Sequence, residues 1–389
     1  MTPYQHSIQL LKKVATPEGF LASANDIANY KRVWARDGVI CGLAGILDGD
    51  ESLVTAMKNT LLTLANHQHK SGMIPSNVYF EGEKSSVSYG GLAGRVDTVA
   101  WFIIGVCQYA HKTGDVALFK QLQPHIQKGF DIHQSWEYND GDLMYVPRSG
   151  NWADEYPTQG FILYDQLLRV WALRSYLRFE ENIALREKEK AITQKIIINY
   201  KKSALEGDRY HPKAYTTLQK TSYWVASLEP AGYQTQFDAF ATSLSLLLGI
   251  GKPEDHKELI NYTETLRLSL DLQLVPAFWP VIKEGDDDWK SLTNNCKYEF
   301  RNYPYEFHNG GTWQMVNGFY GVGLSYVNEA EKAGEVLSEI DALNQKENWS
   351  FYENFNSKTC DPNGVPFCTW SAAGSVMLKQ VLNNNKLLV

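Results

Sequence analysis

Gly94-Arg95-Val96-Asp97-Thr98-Val99-Ala100-Trp101-Phe102-Ile103-Ile104-Gly105-Val106-Cys107-Gln108-Tyr109-Ala110-His111-Lys112-Thr113-Gly114-Asp115 is the stretch whose reading decides the fold. A polar loop with an arginine and an aspartate opens it, and an apolar run at helical spacing through Trp101, Ile104 and Tyr109 fills it. Thr113-Gly114-Asp115 then stops it with turn residues. Leu118 to Phe130 takes up the helical period again, so the unit reads as two antiparallel helices joined by a tight turn.

The same unit recurs in both directions. After Trp34-Ala35-Arg36-Asp37, the apolar positions Ile40, Leu43, Ala44 and Leu47 run to the turn Asp48-Gly49-Asp50. Leu53 to His67 follows and ends before Ser71-Gly72-Met73-Ile74-Pro75. Further on, Phe161 to Phe179 pairs with Ile183 to Tyr200, Phe237 to Leu248 with Pro253 to Leu270, and Thr312 to Tyr326 with Glu329 to Leu343. Trp370 to Val381 is a closing helix whose partner is the amino-terminal segment around Ser7 to Val14. No run of clean alternation competes as strand. Hairpins that each must bury one face predict an all-α ring, with an inner layer of helices inside an outer one and long aromatic loops gathered at one end. No linker rich in Pro, Gly or Ser divides the chain, so residues 1–389 are expected to form one domain.

Composition narrows the function classes. A net charge of -7 and a pI near 5.8 exclude a nucleic-acid backbone as the expected partner, because no cluster of Lys and Arg is there to neutralise phosphates. The 11 tryptophans and 22 tyrosines are flat amphipathic rings of the kind that stack on sugar faces, although large cores use them too. The five cysteines are an odd number without a CxxC pair, which argues against a disulfide framework, and neither a metal site nor another cofactor is expected. No span of ~18 apolar residues occurs, so the expectation is a soluble, cytoplasmic protein that does not enter a membrane.

The loops preceding the inner helices hold the chemistry. Arg148-Ser149-Gly150-Asn151-Trp152-Ala153-Asp154-Glu155-Tyr156-Pro157 places an acidic pair among aromatic rings. Little water beside indole and phenol disfavours the charged form of a carboxyl, which predicts a raised pKa at Asp154. Trp349-Ser350-Phe351-Tyr352-Glu353-Asn354-Phe355-Asn356 supplies a second carboxylate in a similar setting. Cleavage of a glycosidic bond needs one carboxylic acid to protonate the leaving oxygen and one carboxylate to activate water or attack the anomeric carbon. Asp154 and Glu353 are the candidates, with Glu155 as rival for the acid. Trp34, Trp152, Trp313 and Trp370 are candidate stacking surfaces. Arg36 and Asp37 are candidates for holding hydroxyls, against a structural alternative in which Asp37 caps its helix alongside a structural ion pair.

Five motifs, in order, carry a resemblance. Val33-Trp34-Ala35-Arg36-Asp37, Gly72-Met73-Ile74-Pro75, Val96-Asp97, His308-Asn309-Gly310-Gly311-Thr312-Trp313 and Thr369-Trp370-Ser371-Ala372-Ala373-Gly374 together resemble the alkaline/neutral invertases, glycoside hydrolase family 100. Tyr352-Glu353-Asn354-Phe355-Asn356 with Thr369-Trp370-Ser371 is similar to the carboxyl-terminal signature of family 63 and of amylo-α-1,6-glucosidase-like proteins. The resemblance implies an (α/α)6 toroid and an inverting reaction with Asp154 as general acid and Glu353 as general base. It also implies a sugar site lined by Trp34, Arg36, Asp37, Asp97, His308 and Trp313. Where the invertases carry an Ile-Asp-Arg-Arg-Met type of stretch around their acid, this chain has Asn151 to Pro157, closer to the family 63 and debranching-like relatives. That difference bears on the substrate; the leading expectation is hydrolysis of sucrose or another α-glucoside of small size.

Three other readings compete. A sugar epimerase or isomerase on the same ring would use His308 with His67 or His69 as acid/base groups. Gly285-Asp286-Asp287-Asp288-Trp289 brings a terpenoid cyclase to mind, but without a downstream acidic partner it reads as a solvated turn, and it lacks the alternating ligands of a calcium loop. A non-catalytic sugar binder would need the aromatics but not both carboxylates.

Overall fold

The computed structural model describes residues 1–389 except Leu92 and Ala204. Fourteen helices occur among the described residues: α1 Pro3–Val14, α2 Ala35–Asp48, α3 Glu51–Asn66, α4 Asp97–Thr113, α5 Val116–Ser135, α6 Leu163–Tyr176, α7 Ile183–Asn199, α8 Pro212–Thr217, α9 Ala239–Leu247, α10 Pro253–Leu268, α11 Trp289–Thr293, α12 Gln314–Tyr326, α13 Ala330–Trp349 and α14 Thr369–Leu382. Their ends follow from local chemistry. Thr2 and Gln5 form a capping box on α1, and Asp50, Asp115, Asn182 and Asp238 accept from first-turn amides of α3, α5, α7 and α9. Gly49 and Gly114 end α2 and α4 at φ of 88° and 74°, a left-handed conformation that a side chain resists. These are the two acidic glycine turns that the sequence marked.

Two classes of helix are distinguished by what they bury. In α2, α4, α6, α9, α12 and α14 nearly every residue is buried, on all faces. By contrast α1 buries only Ser7, Leu10, Leu11 and Val14, and α10 only Leu259, Ile260, Thr263, Leu266 and Arg267. A helix apolar all round needs neighbours on every side, whereas an amphipathic one covers something. The contacts obey this division: α2 packs on α4, α4 on α6, α6 on α9, α9 on α12, α12 on α14, and α14 back on α2. Outside this closed cycle, α3 lies on α2, α5 on α4, α7 on α6, α13 on α12, and α1 on α14 as the sequence suggested. Helix α10 is fastened to α12 and α13 by Tyr320 donating to Glu264 at 2.8 Å and by the Arg267–Glu335 pair at 2.5 Å.

The sequence reading missed the strands. A three-stranded antiparallel sheet joins Val33–Trp34, Asn77–Glu81 and Lys84–Ser88, and a four-stranded one joins Phe161–Ile162, Val225–Leu228, Tyr233–Asp238 and Phe278–Trp279. Three of these seven strands are only two residues long, too short for alternation to register, and three of the seven lead directly into α2, α6 and α9. They lash the entry loops of the inner helices together. At the opposite end of α4 and α6, Leu388 accepts from Gln108 at 2.5 Å and Trp171 at 2.8 Å, so the final residues lie across that face. No helix among the described residues is long and apolar enough to cross a membrane.

The contact between α12 and α14 is made backbone to backbone: a Cβ placed on Gly318 would stand 2.5 Å from the Cα of Gly374. Gly318→Ala should therefore cost about 1–3 kcal/mol by overpacking. Gly334→Ala on outer α13, where nothing lies within 4 Å, should instead gain up to about 1 kcal/mol of helix propensity. Urea denaturation of both variants checks the contrast.

Candidate active site

A cavity of about 510 Å³ opens where the entry loops of the inner helices converge. Asp154 and Glu353, far apart in sequence, both line it, as do Trp34, Arg36, Asp37, Trp152, His308, Trp313 and Trp370. Asp97 does not. It sits in the first turn of α4 with its carboxylate 2.5 Å from Arg36 Nη1, and Tyr164 donates to the same oxygen at 3.2 Å. Its place is beneath the cavity, holding Arg36, whose guanidinium lies 5.7 Å from the centre of the Trp370 ring.

The expected environment of Asp154 is corrected by the structure. Burial does work to raise its pKa, but Arg95 and Lys297 outweigh it and hold the carboxyl well below the usual range. Arg95 Nη2 reaches Asp154 Oδ2 at 2.5 Å, and Lys297 Nζ pairs with the same oxygen. The sequence offered Asp154 aromatic neighbours; it did not show that two cations from other loops converge on it. Glu353 has the environment expected of Asp154. Burial pushes it up to about 7, against the hydrogen bond from Tyr30 and the charge of Arg301. Tyr30 Oη donates to Glu353 Oε1 at 2.5 Å, while Oε2 has no partner. Glu155, the rival acid, is tied to Arg301 at 2.9 Å and also borders the cavity.

Aromatic rings form the floor. His308 stacks on Trp313 with centroids 5.2 Å apart and planes 2° from parallel, and Trp152 stands edge-on to both. Burial lowers the His308 pKa to about 3, so the imidazole is neutral at pH 7. His67 and His69 are elsewhere: His67 bonds Thr63 O and Ser85 Oγ, His69 bonds Ser71, and neither reaches the cavity. The histidine pair required by the epimerase reading is not assembled. Asp37 lies in the first turn of α2, which has no side-chain N-cap, so the capping alternative does not account for it; burial lifts its carboxyl to about 6 against Arg36. Gly285 to Asp287 form a solvent-exposed turn in which Asp286 accepts from Lys283 N at 2.7 Å, while Asp288 and Trp289 are half-buried, Asp288 accepting from Gln236 at 2.9 Å. Among the described residues no group of three or more His, Cys, Asp or Glu is placed to hold a metal ion.

Several lining residues escaped the sequence reading, among them Tyr30, Lys297 and Arg301. Cys296-Lys297-Tyr298-Glu299-Phe300-Arg301 mixes charge with aromatic rings just ahead of the His308 motif, the same signal that marked the other loops. Tyr30 had no comparable signal beyond its proximity to Trp34, whose indole donates to Asn29 O at 2.9 Å.

Comparisons with known proteins agree with this architecture. Residues 213–385 match the family model described as alkaline and neutral invertase. The probable chloroplastic alkaline/neutral invertase A of Arabidopsis thaliana is 22% identical, over 92% of this chain and 65% of its own length. Cytosolic invertase 1 of Oryza sativa subsp. japonica is 20% identical, over 95% and 75%. The chain thus spans about two thirds of the length of such relatives, 65% and 61% for two of the Arabidopsis proteins. Among solved structures, a family 63 mannosylglycerate hydrolase from Thermus thermophilus, in complex with Tris and D-glycerate, superposes with a TM-score of 0.72 at 13% identity, covering 97% of this chain and all of that one. A glycosidase variant in complex with glucose superposes at 0.66 and 13% identity, over 98% and 96%. The chain is related to these glycoside hydrolases and shares their fold.

The raised pKa of Glu353 has a measurable consequence for stability. The folded state favours its protonated form, so the contribution is fully present below the unfolded value of 4.5 and is lost as pH rises through about 7. Glu353→Gln, which keeps an acceptor for Tyr30, should leave stability near wild type at pH 4 and raise it at pH 8, by on the order of 3 kcal/mol. Denaturant titrations at the two pH values measure the difference.

Proposed function

We propose that this chain, a relative of the alkaline/neutral invertases, is an (α/α)6-toroid glycoside hydrolase of one catalytic domain that cleaves an α-glycosidic bond in a small carbohydrate. The observation that carries the proposal is the presence of two carboxylates, delivered by separate loops, in one aromatic-lined cavity of about 510 Å³. That volume suits a disaccharide-sized ligand, and indole rings with nearby polar groups suit the two faces of a sugar. The closed cycle of α2, α4, α6, α9, α12 and α14 supports reading the fold as a toroid.

In the mechanism, Trp152, Trp313 and Trp370 present stacking surface while Arg36 and Asp37 bind hydroxyls. Unpaired polar atoms on lining residues, including Trp152 Nε1, Trp370 Nε1 and Glu353 Oε2, are then satisfied by the ligand. Asp154 donates a proton to the leaving oxygen, and Glu353 takes one from a water that attacks the anomeric carbon from the opposite face, inverting it. Tyr30 and Arg301 orient Glu353, whose pKa near 7 suits a general base at neutral pH. The assignment of acid and base follows the motifs. A second reading, Glu353 as acid and Asp154 as base, is favoured by the electrostatics of the pocket, in which Asp154 is ionised. Sucrose and α-glucosides are the leading substrates, the latter supported by the glucose bound in a structural neighbour.

A screen of sucrose, α-glucosides, α-mannosides and fructosides identifies the sugar. With that glycoside, Asp154→Asn and Glu353→Gln should each lower kcat at least ~100-fold, the scale of a lost general acid or base. On the corresponding glycosyl fluoride, whose leaving group needs no proton, Asp154→Asn should recover and Glu353→Gln should not. The reverse pattern establishes the second reading, and rescue of Glu155→Gln alone shifts the acid by one residue.

A further inference from the structure

Helix α13 reverses its hand before it ends. Lys346, at φ -52° and ψ 143°, leaves the helix, and Glu347 (φ 47°, ψ 48°), Asn348 (φ 58°, ψ 51°) and Trp349 (φ 66°) then form a turn of the opposite, left hand. Every other non-glycine residue with positive φ among the described residues stands alone in the sequence. Left-handed backbone crowds Cβ against the following carbonyl oxygen, which asparagine tolerates and glutamate and tryptophan resist. Such a turn persists only where its surroundings hold it. Here the Trp349 ring lies flat on that of His6 in α1, with centroids 4.2 Å apart and planes 9° from parallel. Ser350 Oγ donates to Glu347 O at 2.6 Å, and Lys346 Nζ to Cys360 O at 2.7 Å. Tyr352 Oη donates to the Glu347 carboxylate at 2.5 Å, which ties the turn to the residue next to Glu353.

Glu353 follows Trp349 by four residues. Its immediate surroundings belong to the inner layer: Tyr352 O accepts from Gln314 of α12 and Ser371 of α14, both at 3.0 Å, and Glu353 N donates to Val365 O at 3.0 Å. Ser350 O and Phe351 O accept from Phe367 N and Cys368 N at 2.6 and 3.0 Å, at the entry of α14. The reversal of hand thus delivers the chain from an outer helix to the inner wall within a few residues, and Glu353 arrives with Oε1 at Tyr30. Glu347, Asn348 and Trp349 do not line the cavity, so any effect they have on its chemistry passes through Glu353.

We propose that the left-handed turn at residues 347–349 is the mount of Glu353, and that Trp349, braced by His6, is a positioning residue for that carboxylate. The ring stack keeps the backbone in a conformation that its own side chains oppose. Without the stack the turn relaxes towards right-handed or extended backbone, and residues 350–353 shift with it. A reacting group displaced by on the order of 1 Å loses on the order of 100-fold in rate, so a small relaxation is enough. The inference rests on the glycosidase reading only for the task of Glu353.

Three variants of the full chain separate the ring from the backbone. Trp349→Ala removes the ring and keeps a Cβ that resists the turn, Trp349→Gly removes the ring and accepts the turn, and His6→Ala removes only the brace. With the glycoside found in the screen, Trp349→Ala and His6→Ala should lower kcat at least ~10-fold with KM within about twofold, and Trp349→Gly should recover most of the loss. Carbon-13 NMR of labelled glutamate carboxyls, assigned through Glu353→Gln, follows the same carboxyl without turnover. Its midpoint, about 7 when buried, should fall towards the ordinary value by at least about one unit in Trp349→Ala and His6→Ala, and return in Trp349→Gly. Equal impairment of Trp349→Ala and Trp349→Gly makes the ring mere packing and overturns the proposal, as does a wild-type kcat or an unmoved midpoint in Trp349→Ala or His6→Ala. If the wild type hydrolyses no glycoside, the glycosidase reading fails by itself, and the titration still decides whether the turn places Glu353.

Discussion

Close approach of the inner helices is the constraint on which the rest depends. Six helices can surround one axis only if their contacts are narrow. Gly318 meets Gly374 backbone to backbone, Gly323 of α12 lies against Ser243 and Leu246 of α9, and Gly105 of α4 leaves room for Val39 of α2. Because each inner helix returns through an outer partner, all six inner amino termini arrive at the same end. Three of them begin with an aspartate in the first turn, Asp37, Asp97 and Asp165, and Asp238 caps a fourth. Amino-terminal helix dipoles favour such negative groups, so the topology that closes the cycle also concentrates acidic residues around one cavity.

The helices were legible because burial on all faces or along one stripe leaves a periodic trace over ten or more residues. Their boundaries fell close to the expected ones; Leu118 to Phe130, for example, proved to be the middle of Val116–Ser135. The strands were not legible, since Val33–Trp34 and Phe161–Ile162 are two residues long and their pairing partners are distant. The cavity residues were found where a motif spans loop and helix entry, as at Trp34 to Asp37 and His308 to Trp313. Asp97 shows the limit of such motifs: its spacing was right, but its carboxylate serves Arg36 and is not on the cavity wall. Protonation was the least legible property. The aromatic neighbours of Asp154 and Glu353 look alike in sequence, yet their pKa values move in opposite directions, because what differs is the cations brought by other loops.

Beneath the cavity, carboxyls are kept by burial and not by pairing. Asp165 is buried with neither oxygen hydrogen-bonded to a charged partner, and burial, with Asp97 and Asp238 nearby, pushes its pKa well up. Asp238 is lifted to about 7 by burial although it caps α9. Neutral acids of this kind can donate as well as accept hydrogen bonds. They let the polar end of the inner helices stay densely packed without setting two further full negative charges, those of Asp165 and Asp238, beside the single Arg36–Asp97 pair.

The cation-paired carboxylate follows a different logic, and Arg95 shows why. One arginine, in the loop that opens α4, holds Ser149 O and Asp154 Oδ2 at the same time. The loop that carries Asp154 is thus positioned from outside itself, and Val96 N adds a second tie by donating to Gly150 O at 2.7 Å. A buried arginine with several acceptors cannot retreat without leaving its charge unpaired, so the position of Asp154 is set by the packing of α4. Position and charge are consequently served by overlapping sets of residues: Arg95 fixes where the carboxyl is, and Arg95 together with the more exposed Lys297 holds it ionised against burial.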